Sequence, residues 1–459
     1  MSAAWRLQNG LASSHLAMRK YLVLVSTFAL FAGVIVTSPA ATAAAPKLGS
    51  ACTKVGSFFD QPNKRFVCTK EGAKKVWRMW YPANQGPKTT SNNSASNEAP
   101  KQQQAPFVSR IPIKLPVPQD GTITFANAIS KIADIPSAAY KRVQDVIAAN
   151  SAVDIPTSIY IGPKTDTTKE QITTLLQKNY RLFQGFNQPS EYFGLVYNGK
   201  DEPWAEKELT SILKNLKMDN LYERYVSVMR GACDLSNKSD PQCTGGNAIM
   251  LYPTTGGISL YGVQEPYWNA ANQRVGAMSQ VNHEYTHTVQ FAQFFGVPLK
   301  AGQNSGTDVA HTKMPCWFQE GQANGIGIPV WASNFSEYSD ARKQNIARGV
   351  NPNLPKPSLT TYTAASFTKF LYDQDPLKCY NPSSGDYQLG YSVGYAATEA
   401  LVAIGGPQAT MALLTKMAGG DDWAAAFQNV YGISWKEGST KLGEILAAEY
   451  AVLPLGSTG

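Results

Sequence analysis

His283-Glu284-Tyr285-Thr286-His287 is the stretch of this chain best suited to chemistry. On a helix, residues i and i+4 stand one turn apart on the same face, so the two imidazoles can grip one metal ion. Glu284, between them, can hold the water that such an ion polarises. The flanking sequence reads as helix over 271–295. It has no proline, its only glycine is Gly276, and Val275, Met278, Val281, Tyr285, Val289 and Ala292 recur three or four apart as one apolar stripe. That phase sets His283 and His287 roughly opposite the stripe, which predicts one face in a core and the other on a cleft. The chain has four histidines in all, and two of them are here.

Catalytic zinc needs a third protein ligand and one open position. A histidine six residues beyond His287 is excluded, because that position is Gln293. His311 lies in a polar stretch with no clear helical period. Glu320 is the stronger candidate, in Pro315-Cys316-Trp317-Phe318-Gln319-Glu320-Gly321-Gln322-Ala323-Asn324. Pro315 marks the start of a second short helix, Trp317 and Phe318 anchor it in a core, and small Gly321 and Ala323 allow a close approach to the first helix.

H-E-x-x-H followed downstream by W-F-x-E-G-x-A resembles the gluzincin metallopeptidases, the thermolysin-like or MA-type group. The residues that carry the resemblance are His283, Glu284, His287, Trp317, Phe318, Glu320, Gly321 and Ala323. It implies His283, His287 and Glu320 as ligands of Zn2+, Glu284 as general base, and a Tyr or His from a helical lobe as donor to the oxyanion. Tyr387, Tyr391 and Tyr395 form an i, i+4, i+8 stripe on one predicted helix, with Gly390 and Gly394 letting it pack closely; Tyr391 is the chosen donor and His311 the other candidate. Asn282 and Thr286 flank the ligands and read either as partners that steady them or as surface residues, and Phe291 as a pocket wall or core residue. The implied activity is peptide-bond hydrolysis by a zinc-activated water on a peptide or protein substrate.

The elements around these residues predict an α+β chain. Strands are expected at 155–161, 191–197 and 247–252, with helices at 168–186 and 203–218. Beyond Glu320 the chain reads as helix only, at 336–349, 366–372, 387–404, 408–417, 423–430 and 435–450. This order fits a zincin-like domain over 107–459, with an upper mixed α/β lobe and a lower mainly helical lobe. Strand 247–252 is expected either at the edge of the upper lobe, where it would hold an extended peptide, or buried. No calcium-binding D-x-D-x-D-G loop is present.

The N-terminal part has a different character. Arg19 and Lys20, the apolar run 21–36 and the alanine-rich stretch that follows read as a secretory signal over 1–45, with Met18 an alternative start. Residues 46–82 read as a small Cys-pair β module suited either to a cell-wall polymer or to a spacer role. Residues 83–106, polar and proline-containing, read as a flexible linker. The six cysteines all follow the signal, which fits disulfides in an exported protein. Sequence proximity pairs Cys52 with Cys68 and Cys233 with Cys243, leaving Cys316 with Cys379. The expected location is extracellular, with no membrane partner once the signal is cleaved. A net charge of +8 over 459 residues comes with no basic run, so nucleic acid is not an expected partner. The competing function is a non-proteolytic zincin-like protein that binds cell wall or a partner. Hydrolysis of a non-peptide bond is a third reading.

Overall fold

The structure, a computed structural model, describes residues 50–54, 58–61, 64–71, 74–79, 110–118, 121–218, 222–231, 233–234, 242–243, 245–251, 255–263, 274–300, 303, 306–349, 356–374 and 385–453. The expected signal and linker lie outside them. The chain separates into two compact units, 1–81 and 82–459. In the first, β1 (Phe58–Gln61), β2 (Lys64–Glu71) and β3 (Lys74–Met79) form an antiparallel sheet. The expected Cys52–Cys68 disulfide is present, and Ala51 bridges to Val76.

The second unit opens with a further helix, α1 (Ile135–Ala149). Then β4 (Thr157–Ile161), α2 (Lys169–Leu182), β5 (Tyr192–Tyr197), α3 (Glu202–Asn215) and α4 (Tyr222–Gly231) alternate. Local chemistry explains α2. Thr168 and Gln171 form a capping box, and Ile172, Leu175, Leu176 and Tyr180 make its buried stripe. A short ribbon of β6 (Cys233–Asp234) and β7 (Gln242–Cys243) is closed by the expected Cys233–Cys243 disulfide. The hairpin β8 (Gly245–Met250) and β9 (Gly257–Gly262) completes a four-stranded sheet in the order β4-β5-β9-β8. β4, β5 and β9 run parallel, and β8 is antiparallel to β9 at the edge.

The sheet is apolar on both faces. Leu195, Tyr197, Ile258 and Leu260 pack with Leu209, Leu213 and Met229 of α3 and α4. Tyr192, Val196 and Tyr261 turn the other way, into the main core with α2 and α5 (Arg274–Ala292). After α5 come α6 (Gly306–His311), α7 (Cys316–Trp331), α8 (Phe335–Ile346) and α9 (Ala364–Tyr372). Gly385–Leu389 (α10), a π-helical segment Gly390–Gly394 and Tyr395–Gly405 (α11) then run on without a break. α12 (Pro407–Ala418), α13 (Trp423–Tyr431) and α14 (Trp435–Val452) close the unit. The fold is α+β, with strands confined to its first half. Cys316 is disulfide-bonded too, but Cys379, its expected partner, lies outside the described residues.

Three expectations change. α5 sets Val281, Tyr285, Val289 and Ala292 in the core and His283, Glu284 and His287 on a cavity, as expected, but the cavity face is not open, since residues 281–294 are buried all round. Its polar side chains are taken up internally, as when Gln293 donates to the carbonyls of Asn187 and Val289. The helix carrying Glu320 is not short but spans Cys316–Trp331, and 316–330 are wholly buried. The stretch before His311 is helical, as α6.

Candidate metal centre

α5 and α7 cross closely because Gly327 faces the His283 backbone; a Cβ there would lie 2.9 Å from the His283 nitrogen. α7 meets the π-helical segment as tightly, since a Cβ on Gly394 would fall 2.0 Å from the Trp317 carbonyl oxygen. Trp317 anchors the start of α7. Its ring is fully buried, lies parallel to Trp435 at 6.0 Å, and donates from Nε1 to the Leu371 carbonyl at 3.2 Å. Truncating such a ring costs about 3–5 kcal/mol. Glu320 follows one turn later.

These crossings bring His283, His287 and Glu320 together, each with a ligand atom within 4.8 Å of the others. The two Nε2 atoms stand 3.0 Å apart, and Glu320 Oε2 lies 3.2 Å from that of His287 and 3.4 Å from that of His283. The far nitrogens determine what those atoms are. His283 Nδ1 lies 2.8 Å from Asn324 Oδ1, and His287 Nδ1 lies 2.7 Å from Gln290 Oε1. Both amides are oriented by their own donors: Asn324 Nδ2 donates to the Tyr391 carbonyl, and Gln290 Nε2 to the Gln319 carbonyl and Gln322 Oε1. Each Nδ1 must therefore donate, which leaves each neutral imidazole a bare lone pair at Nε2. Two lone pairs and a carboxylate oxygen then face one point, an arrangement that calls for a cation. The donor set fits zinc, which takes imidazole nitrogen and carboxylate oxygen and keeps a fourth position open at catalytic sites.

Glu320 is held on its other side. Gln319 Nε2 and Tyr387 Oη donate to its Oε1 at 3.2 and 3.1 Å, so Oε2 alone turns toward the imidazoles. Burial by itself would raise the Glu320 pKa, but the two imidazoles hold it well below the ordinary value. Burial would lower that of His287; Glu320 outweighs it and pushes the imidazole up to about 9. Burial raises the Glu284 carboxyl above the usual carboxylate range, against the pull of the two histidines.

Beside the triad is a cavity of about 450 Å³. Its walls are Gly246–Ile249 of β8, Tyr225 and Val228 of α4, the motif residues with Phe291, Thr307, Asp308 and His311 around α6, and Gln319, Glu320, Tyr387 and Tyr391. Glu284 belongs to this wall and lies against β8, where a Cβ on Gly246 would come within 2.2 Å of its Oε1. Tyr391 does too. Its ring stacks on His283 at 5.8 Å and its hydroxyl is 3.1 Å from that of Tyr387. Burial and the nearby Glu320 keep that hydroxyl protonated far above the ordinary tyrosine range. Phe291 stacks on His287 at 5.8 Å and meets His311 edge-on at 5.2 Å.

Not every expected residue joins. Tyr395 is fully buried elsewhere, beside Tyr338 and Glu399, because the wider π turn after Tyr391 changes the helix phase. Asn282 pairs with Asn179, and Thr286 donates to the Asn282 carbonyl, so neither touches a ligand ring. The residues that do steady the triad are Asn324, Gln290, Gln319 and Tyr387. In comparisons with known proteins, the chain matches no protein-family model, no curated protein and no solved structure.

Proposed function

We propose that this chain is a secreted zinc-dependent peptidase of gluzincin type, with His283, His287 and Glu320 as ligands and Glu284 as general base. The observation that carries the reading is the convergence of two imidazole Nε2 atoms and one carboxylate oxygen at the wall of a cavity that also holds a second buried glutamate, Glu284. A structural site has no use for that fourth group. In this reading the β4-β5-β9-β8 sheet with its helices is the upper lobe and the helices after α6 are the lower one. Two disulfides support export, and no helix among the described residues is long and apolar enough to cross a membrane.

A bound zinc ion would supply Lewis-acid polarisation of the scissile carbonyl and of water. Glu284 takes a proton from the attacking water as its oxygen bonds to the carbonyl carbon. It then delivers that proton to the amide nitrogen as the C–N bond breaks. The Tyr391 hydroxyl donates to the carbonyl oxygen as negative charge gathers there. β8 offers its free edge to an extended peptide. The N-terminal unit is the part that would meet a cell-wall polymer.

The test is the metal content of the purified secreted form, wild type beside Glu320→Ala, followed by peptide cleavage with Glu284→Gln. The reading expects about one zinc per chain in the wild type, a large loss in Glu320→Ala, and metal retention without cleavage in Glu284→Gln. Full zinc retention without Glu320 would refute the ligand set. Zinc binding with no cleavage of any peptide by the wild type would favour a non-proteolytic or non-peptide role.

A further inference from the structure

Resting on that reading, the edge of β8 also bears on which end of a peptide the cleft holds. Leu251 N–H donates to the Gly256 carbonyl at 2.8 Å, and Met250 is opposite Gly257. Antiparallel pairs alternate between exchanging hydrogen bonds and facing outward. Asn247 and Ile249 therefore bond to β9, while Gly246, Ala248 and Met250 turn their N–H and C=O groups to the free edge. Gly246 and Ala248 are small and line the cavity. At Met250 the outward N–H is already taken, by Thr307 Oγ1 at 3.3 Å. An added strand would lie about 4.8 Å from β8. The first turn of α6 occupies that lane, so a peptide paired with Gly246 and Ala248 stops before Met250.

Two observations say which terminus stops there. β8 runs toward α6, so a peptide adding in the stronger antiparallel sense arrives with its amino end at α6. The charge agrees. Asp308, next to the blocking Thr307, lines the cavity, and no Lys or Arg does so among the described residues, so the charged side chain at that end suits an ammonium. We infer that the end of the cleft at Thr307 and Asp308 receives the free amino terminus of a peptide, and that the enzyme is an exopeptidase acting from that end. Glu284 lies against Gly246, and Ala248 is two residues away, about 7 Å along the strand. That leaves room for one or two residues before the scissile bond.

The experiment uses the full secreted protein loaded with zinc and three peptides: free amino terminus, N-acetylated, and N-acetylated with lysine first. Products are mapped by mass spectrometry. The inference expects release of single residues or dipeptides from the free amino end, and a loss of about 100-fold or more in kcat/KM on acetylation, about the strength of a charge-assisted bond. Lysine should not restore the loss. Asp308→Asn, which is isosteric, should bring the free-to-acetylated ratio below about 10 with zinc content unchanged. Cleavage at internal bonds, or equal rates on free and acetylated peptides, would overturn the inference while leaving the peptidase reading intact. Recovery by lysine would overturn the terminus assignment in favour of a side-chain subsite. No cleavage of any peptide would remove both readings.

Discussion

Replacing Asn324 by leucine probes the metal centre without touching a ligand. Asn324 accepts from His283 Nδ1 at 2.8 Å and donates to the Tyr391 carbonyl at 3.0 Å. Leucine has similar bulk and neither function. Loss of an acceptor behind a ligating histidine typically lowers metal affinity 10- to 100-fold, about 1.4–2.7 kcal/mol. Unfolding should separately record about 1–3 kcal/mol for the Tyr391 carbonyl left without its donor. Competition against a chromophoric zinc chelator measures the first quantity, and thermal melting of the metal-free protein the second. Thr286→Val is the control, because Thr286 lies inside the motif yet donates to the Asn282 backbone. It should shift zinc affinity by no more than about threefold, within the usual range for a lost backbone-directed hydroxyl bond. If Asn324→Leu folds and holds zinc as tightly as the wild type, the lone-pair argument at the centre fails.

Three further outcomes are expected. In the metal-free protein the His287 pKa is raised from 6.5 to about 9, so the stabilisation from its pairing with Glu320 is complete below pH 6.5 and fades as pH rises through about 9. Melting temperature should fall across that window while zinc affinity rises, since the ion displaces the same proton; a flat melting curve would contradict this. Gly394→Ala sets a methyl 2.0 Å from the Trp317 carbonyl and should cost at least about 1–3 kcal/mol by overpacking, read by denaturant melting together with zinc loss. Tyr391→Phe should lower kcat about 10²-fold with zinc content unchanged; steady-state kinetics with an unaltered kcat would reassign the oxyanion donor.

The motif helix, the Glu320 helix and most other elements of the second unit were legible because each writes its signal locally, as an i, i+4 pair, a capping residue or an apolar period. Asn324, Gln290 and Gln319 carry no such mark. Asn324 meets His283 across helices, Gln290 is oriented by α7, and Gln319 meets its own neighbour Glu320, and a lone amide reads as surface. The same ambiguity hid the burial of the polar side chains after Val281 in α5, where Thr288, Gln290 and Gln293 resemble a solvated face until their partners are seen. α6 is too short to show a period, and the π turn leaves no trace in spacing, so Tyr395 reads as a continuation of the tyrosine stripe although it leaves it.

The glycine crossings that join α5, α7 and the π-helical segment also limit how this site can change. Side chains can repack around a new ligand, but main chains already in contact have no slack to give. Aspartate at position 320 would fall one methylene short, and α7 could not slide inward to make up the difference. Histidine there would need the helices to part, undoing the contacts at Gly327 and Gly394. The proposed third ligand is thus tied to the crossing distance, and an exchange at 320 would have to arrive with changes at the glycines rather than by single steps.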